Sequence, residues 1–143
     1  MGYCFLEDVT RADVAFEATG FGLRELFRSA WDATLDVMLP GGALPPGAAQ
    51  KQILLSASSW GELLFALLEK IVYVKDAEGL LLAPLDIKLH GRGEDLELDA
   101  RALAAPVETL LGALGTDIKA VTMHRFELRR EAGRYSATVV LDV

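Results

Sequence analysis

Two acidic groups close the sequence, the side chain of Asp142 and the carboxylate of Val143. Before them, apolar residues alternate with other types over residues 135–141, a period of two that is typical of a packed β-strand rather than a frayed tail. Two carboxylates held close together on an ordered strand repel each other unless a cation, an arginine or a lysine compensates them. We therefore treat the end of the sequence as the first candidate site.

A β-rich stretch at residues 117–130 precedes that strand, and residues 131–134, which include Gly133, supply a short turn between the two. We therefore predict that the sequence ends in a long antiparallel hairpin. Either Lys119 or Arg134 could pair with Asp142 across this hairpin, and such a structural ion pair is the alternative to a bound cation.

Two helices are predicted to support the hairpin. Residues 23–38 carry apolar side chains at helical spacing and are followed by residues 40–42 (PGG), which indicates an amphipathic helix with a clear end. Residues 59–62 (SWGE) have the pattern of a capping box and open a second, more buried helix, and Gly79 fits the exit of that helix.

The remaining elements predict an α+β fold with a mainly antiparallel or mixed sheet and two main helices, because strands outnumber helical connections. We expect a single domain over residues 1–143, which is long enough to bury roughly two-thirds of its unfolded surface. Pro106 could start a short helix in the ambiguous segment 104–115. Further strands are predicted at residues 3–7, 13–20, 52–58, 80–89 and 95–102.

The composition argues against several functions. With 14 basic and 21 acidic residues the net charge is −7, whereas a stand-alone nucleic-acid binder needs a basic surface for phosphates. The sequence has no phosphate-binding loop, no dinucleotide fingerprint and no serine in a nucleophile elbow. One cysteine, Cys4, and two distant histidines, His90 and His124, argue against a zinc site.

The compartment is also suggested by the sequence. A lone cysteine cannot form an internal disulfide, which fits a reducing environment. The N-terminal residues do not have the pattern of a secretory leader, and the apolar run at residues 63–74 is interrupted by charges and too short to cross a bilayer. We expect a soluble cytoplasmic protein that does not contact membranes.

Four segments resemble the archease family: residues 5–7 (FLE), 12–14 (ADV), 118–124 (IKAVTMH) and 140–143 (VLDV). The length, the helix after the second strand and residues 73–79 (YVKDAEG) are also similar, so the resemblance covers essentially the whole chain. The family pattern has a histidine after the first Leu-Glu pair. Here the loop at residues 8–11 is about two residues longer and that histidine is absent.

The resemblance implies a non-catalytic protein that activates the GTP-dependent RtcB-type RNA ligase in tRNA splicing or RNA repair, by promoting guanylylation and repeated turnover of the ligase. It implies that Asp13, Asp142 and the carboxyl group of Val143 are ligands of a divalent metal and that Lys119 is the functional lysine. Oxygen ligands of this kind suit Ca²⁺ or Mg²⁺ rather than a soft transition metal. The partner would be the ligase, and RNA would be contacted only indirectly.

Two other functions stay open from the residues alone. One is a free-standing metal-dependent enzyme that acts on a small phosphorylated or acidic substrate. The other is a general modulator of protein folding without metal chemistry. The absence of a paired nucleophile and general base favours the activator, and turnover by the purified protein alone would favour the enzyme.

Overall fold

The computed structural model describes residues 2–7 and 13–143 of the chain. The loop at residues 8–11, in which the sequence departs from the family pattern, lies outside the described residues. The helices are α1 (Leu23–Met38) and α2 (Trp60–Glu78), and a short 3-10 helix covers Val107–Ala113. The strands are β1 (Tyr3–Leu6), β2 (Asp13–Gly20), β3 (Ala49–Ala57), β4 (Leu80–Arg92), β5 (Asp95–Pro106), β6 (Ala120–Glu131) and β7 (Arg134–Asp142).

The strands form two antiparallel sheets, one with the order β1-β2-β7-β6 and one with the order β3-β5-β4. Helix α1 contacts β2 in the first sheet and β4 in the second, and α2 contacts β6, β3 and β4. Both helices therefore join the two sheets through one apolar core. The predicted α+β class with antiparallel pairing and two main helices is confirmed.

Trp31 of α1 illustrates how the core is closed. Its ring is fully buried, and its indole Nε1 donates a hydrogen bond of 2.9 Å to the main-chain oxygen of Leu82 on β4. A buried indole N–H needs such a partner, because leaving it unpaired would cost the desolvation energy of the donor. This bond ties α1 to the three-stranded sheet, while Phe16 of β2 is fully buried in the same core.

The ends of α2 match the sequence prediction. The Ser59 hydroxyl accepts a hydrogen bond of 3.1 Å from the Glu62 amide, and Gly79 ends the helix in the left-handed conformation with φ of 66°. The Glu62 carboxylate reaches back to Ser58, one residue before the position that a capping box predicts, and accepts hydrogen bonds from the Ser58 amide (3.3 Å) and hydroxyl (2.6 Å).

The C-terminal hairpin also forms as predicted, and its turn uses positive φ at Ala132 (49°) and Gly133 (77°). One feature was not predicted. The register of β6 on β7 shifts between Thr122 and Glu127, so the residues between them bulge out of the ladder.

Two smaller differences concern the middle of the chain. Strand β4 continues to Arg92, so the turn before β5 falls at Gly93 and Glu94 rather than at residues 91–93. The ambiguous segment forms the 3-10 helix directly after Pro106. No helix in the described part of the chain is long and apolar enough to cross a membrane.

Candidate functional site

Asp13 and Asp142 lie directly opposite each other, in the register that pairs the start of β2 with the end of β7. Both residues are half-buried. Residues paired in this way in an antiparallel sheet have Cβ atoms roughly 5 Å apart. The structure thus brings together two of the residues that the sequence analysis proposed as metal ligands, and their role as ligands stays a prediction.

This pair lies on the outer face of the four-stranded sheet. Side chains alternate along a strand, so the neighbours of Asp13 and Asp142 on their face are the paired residues Ala15 and Val140. The pair between them, Val14 and Leu141, is on the other face, where Leu141 belongs to the main core. The two carboxylates are therefore directed away from the core that the helices cover.

Lys119 lies beside this pair. Its backbone N–H donates a hydrogen bond of 2.8 Å to the main-chain oxygen of Asp142, and the next residue, Ala120, pairs with Asp142 across β6 and β7. The residue is exposed. In the described part of the chain, no ion pair joins the Lys119 ammonium group to the Asp142 carboxylate. The main chain of Lys119 is therefore joined to the end of β7, and its side chain is open to solvent.

The structure also gives the positions of Val143 and Arg134 relative to Asp142. Val143 is half-buried and packs against the core, which places the end of the sequence next to Asp142. Arg134 lies at the opposite end of β7, where it pairs with Glu131. The alternative in which Arg134 neutralises Asp142 is therefore wrong, because the full length of β7 separates them.

Lys75 fixes the segment that carries Lys119, and the sequence analysis missed it. Its side chain is only 8% exposed. The Nζ atom donates a hydrogen bond of 2.6 Å to the main-chain oxygen of Ile118, and it contacts the carboxylates of Asp117 and Asp76. The last turn of α2 is thus tied to the two residues before Lys119. Lys75 is one of two lysines in this helix, and no pattern in the sequence distinguishes its role from that of Lys70.

Thr122 is the second residue that the sequence analysis did not single out. Its Oγ1 atom is buried and has no hydrogen-bond partner in the part of the chain that the structure describes. Thr122 is two residues beyond Ala120, and so its side chain lies on the same face of β6 as the residue that pairs with Asp142. A buried hydroxyl without a partner is uncommon and often indicates a bound water or ion.

These donors fit a hard cation. Among residues 2–7 and 13–143, no group of three or more His, Cys, Asp or Glu side chains is placed to hold a metal. The donors at this edge are instead two side-chain carboxylates, the carboxylate of Val143 and the hydroxyl of Thr122, all of them oxygens. Like charges directly opposite each other on a sheet are destabilising, and oxygen ligands are those that Ca²⁺ and Mg²⁺ prefer.

A polar pocket lies elsewhere, between α1, β1 and β4 at Ala83 and Pro84, with a volume of about 360 Å³. Burial raises the pKa of Asp32 above its usual range, against the opposing effect of the Arg28 guanidinium. Burial also raises the pKa of Tyr3, with a further contribution from Asp36. These groups line the pocket and lie on other elements than Asp13 and Asp142.

Comparisons with known proteins agree with each other. The profile of the Archease protein family matches residues 3–143. "Protein archease" of Methanothermobacter thermautotrophicus is 30% identical over 95% of each chain, and that of Methanosarcina mazei is 28% identical over 99% of this chain and 95% of its own.

Solved structures show the same fold. The solution structure of Methanobacterium thermoautotrophicum protein 1598 superimposes with a TM-score of 0.79 at 27% identity and covers 99% of both chains. A Thermotoga maritima crystal structure, described as an archease and possible chaperone, has a TM-score of 0.62 at 23% identity over 96% of this chain and 97% of its own.

Proposed function

The chain belongs to the archease family, and from this premise we propose that it activates an RtcB-type RNA ligase in tRNA splicing or RNA repair. The activator promotes guanylylation of the ligase and thereby its repeated turnover. It does not itself catalyse the joining of RNA ends. It acts in the cytoplasm, and its contact with RNA is indirect because its net charge is −7.

The observation that supports this proposal is that three charged residues lie at one end of the four-stranded sheet. Asp13 pairs with Asp142, and the Lys119 amide is bonded to the main chain of Asp142. Negative charge on a transferring phosphoryl group is stabilised by cations that are already in position. The exposed Lys119 can supply such a charge to the ligase, and Lys75 fixes the residue before it through the main-chain oxygen of Ile118.

We propose that Asp13, Asp142 and the carboxyl group of Val143 hold Ca²⁺ or Mg²⁺. The bound ion would supply positive charge at the same edge. Waters, or phosphate oxygens of the partner's nucleotide, would complete its shell, since both ions take six or more oxygen ligands. The chain's own residues orient these oxygens through the β2 and β7 pairing.

The test measures guanylylated ligase over time, with the RtcB-type ligase in excess over this protein. We expect substoichiometric wild-type protein to accelerate the reaction, and Lys119→Ala and Asp13→Ala each to abolish the acceleration while the fold is kept. Lys88→Ala on β4 and Asp95→Ala on β5 are matched controls, because they remove the same charges from exposed positions of the other sheet.

Two results would contradict the proposal at different points. If wild-type protein left the rate unchanged, ligase activation itself would be wrong. If wild type accelerated the reaction and both site variants did the same, the protein would act by docking alone and the site named here would be wrong.

A role in folding is the second candidate, and the description of the Thermotoga maritima protein as a possible chaperone favours it. In that case the protein would increase the recovery of correctly folded ligase from denaturant without changing the guanylylation rate of ligase that is already folded. Both quantities can be measured on the same samples.

A further inference from the structure

An apolar groove runs between the first half of α2 and β6, with a volume of about 520 Å³. Trp60 and Phe65 line it from the helix, and Met123 and Phe126 line it from the strand. The rings of Phe65 and Phe126 meet edge to face, with centroids 5.3 Å apart. Met123 is 65% exposed, although it is one of the most apolar residues of this strand.

The β6 bulge builds the strand side of this groove. Pairing with β7 stops at Thr122 and resumes at Glu127, and Arg125 within the bulge has a positive φ of 59°. A non-glycine residue in this conformation carries a small backbone cost. The bulge takes Met123 out of the regular ladder and leaves its side chain in solvent.

The rim of the groove is acidic. Glu62, Glu69 and Glu127 line it, and among residues 2–7 and 13–143 no lysine or arginine does. The Glu127 carboxylate is 3.3 Å from the Arg129 guanidinium, so its charge is partly compensated. The Glu62 carboxylate accepts hydrogen bonds from the amide and the hydroxyl of Ser58, which are both neutral groups. An apolar centre with a charged, solvent-exposed rim is the usual arrangement of a protein–protein interface.

We propose that this groove docks an apolar side chain flanked by lysine or arginine on the surface of the RNA ligase, an inference that rests on the proposed function. A protein that binds RNA must present basic side chains to the phosphates, and such a surface is complementary in charge to this rim. Lys119 directly precedes β6, and Met123 is four residues further on, at most about 13 Å along an extended strand. One partner can therefore cover the groove and the carboxylate edge together.

The test uses the double variant Met123→Ser/Glu69→Lys. Both residues are exposed, so neither change empties the core, and together they remove an apolar contact and reverse one rim charge. The matched control is Leu54→Ser/Glu97→Lys, which makes the same changes at an exposed apolar and acidic pair on the other sheet, where Leu54 is 66% exposed. Binding of each protein to the full-length ligase is measured by fluorescence anisotropy.

We expect the Kd of the groove variant for the ligase to rise at least about tenfold, as for the loss of a central interface contact, and that of the control to stay within about twofold. At saturating concentration the groove variant should still accelerate guanylylation to the wild-type level, because Asp13, Asp142 and Lys119 are unchanged. The groove variant would thus lose affinity for the ligase and keep its maximal activation of the ligase.

Each other outcome has a distinct meaning. If wild-type protein activates the ligase and the groove variant binds with wild-type affinity, the docking inference is wrong and the proposed function stands. If wild-type protein neither binds nor activates the ligase, the proposed function is wrong. If ultracentrifugation shows a wild-type dimer that the groove variant loses, the groove holds a second copy of this chain and the inference is also wrong.

Discussion

At the scale of single residues, the pairing of Asp13 with Asp142 places two carboxylates opposite each other, and a bound cation would lower their mutual repulsion. Two carboxylates directly opposite each other destabilise a sheet, by an amount comparable to the roughly 0.2–1 kcal/mol of a favourable cross-strand pair. A divalent ion bound between them would reverse the sign of this interaction. Removing the charge of Asp142, the last residue of β7, should therefore change the stability in opposite directions with and without the ion.

The first prediction follows for Asp142→Asn. Without divalent ions we expect its free energy of unfolding to be equal to or slightly above that of wild type, since the repulsion with Asp13 is removed. In Ca²⁺ at about one hundred times the wild-type Kd, wild type should gain about 2.7 kcal/mol and the variant much less. Titration calorimetry and thermal unfolding with and without Ca²⁺ measure both effects.

Asp95→Asn is the control for this variant, because Asp95 is an exposed aspartate at the start of β5. It should bind Ca²⁺ like wild type. Unchanged Ca²⁺ affinity in Asp142→Asn would remove Asp142 from the set of ligands.

At the scale of elements, the contact between α2 and the start of β6 connects a buried helix to the exposed Lys119. The ammonium group of Lys75 satisfies the carbonyl of Ile118, and Ile118 itself is fully buried. The loop before β6 is thus held from both sides, by the lysine and by the core. Removing the lysine should loosen the loop without disturbing the carboxylate pair on β2 and β7.

The second prediction concerns Lys75→Met, which keeps an unbranched side chain and removes the ammonium group. We expect a loss of about 1–3 kcal/mol in the free energy of unfolding, because a part-buried carbonyl loses its charged partner. Amide hydrogens of residues 117–121 should exchange faster, and the stimulation of the ligase should fall. Hydrogen exchange followed by mass spectrometry measures the local effect.

Lys70→Met is the matched control, since Lys70 lies on the same helix and its ammonium group is 5.4 Å from the centre of the Tyr73 ring. In this variant, the amide hydrogens of residues 117–121 should exchange at the wild-type rate. Equal exchange in the two variants would show that Lys75 does not position this segment.

Most elements could be predicted from the sequence because their signals are local. The 3.6-residue period of α1, the cap at Ser59 and the left-handed Gly79 each depend on a few neighbouring residues. The β6 bulge could not be predicted, because its residues are as typical of a regular strand as those around them. The contact of Lys75 with Ile118 joins residues 43 apart in sequence, which leaves no periodic trace.

At the scale of the whole molecule, the division into two sheets depends on which strands pair, and composition does not determine it. The family resemblance implies that Asp13 and Asp142 act on one metal, but their direct opposition depends on a register that the sequence does not state. The pocket of Asp32 is a similar case. It forms where α1 meets Tyr3 of β1 and Pro84 of β4, so the elements of both sheets contribute to it.

The third prediction is a pH dependence of global stability that originates at this junction. Burial raises the pKa of Asp32, so the folded state binds its proton more tightly than the unfolded state does. Stability is then lost as the pH rises from the usual aspartate pKa of about 3.9 through the raised value, and the full penalty is present at neutral pH. Asp32 forms an ion pair with Arg28 at 4.0 Å, and both side chains are about half exposed. This ion pair therefore offsets little of the penalty for burying the Asp32 carboxylate.

We therefore expect Asp32→Asn to unfold at a higher urea concentration than wild type at pH 7, and this difference to shrink as the pH falls below about 3.9, where wild-type Asp32 is protonated. Asp36→Ala is the contrasting variant, because the Asp36 carboxylate accepts a hydrogen bond of 2.8 Å from the Gly41 amide and its loss should lower stability at pH 7. Urea unfolding of the three proteins across this pH range measures the effect. A lower midpoint for Asp32→Asn at pH 7 would mean that the contact with Arg28 outweighs the burial of the carboxylate.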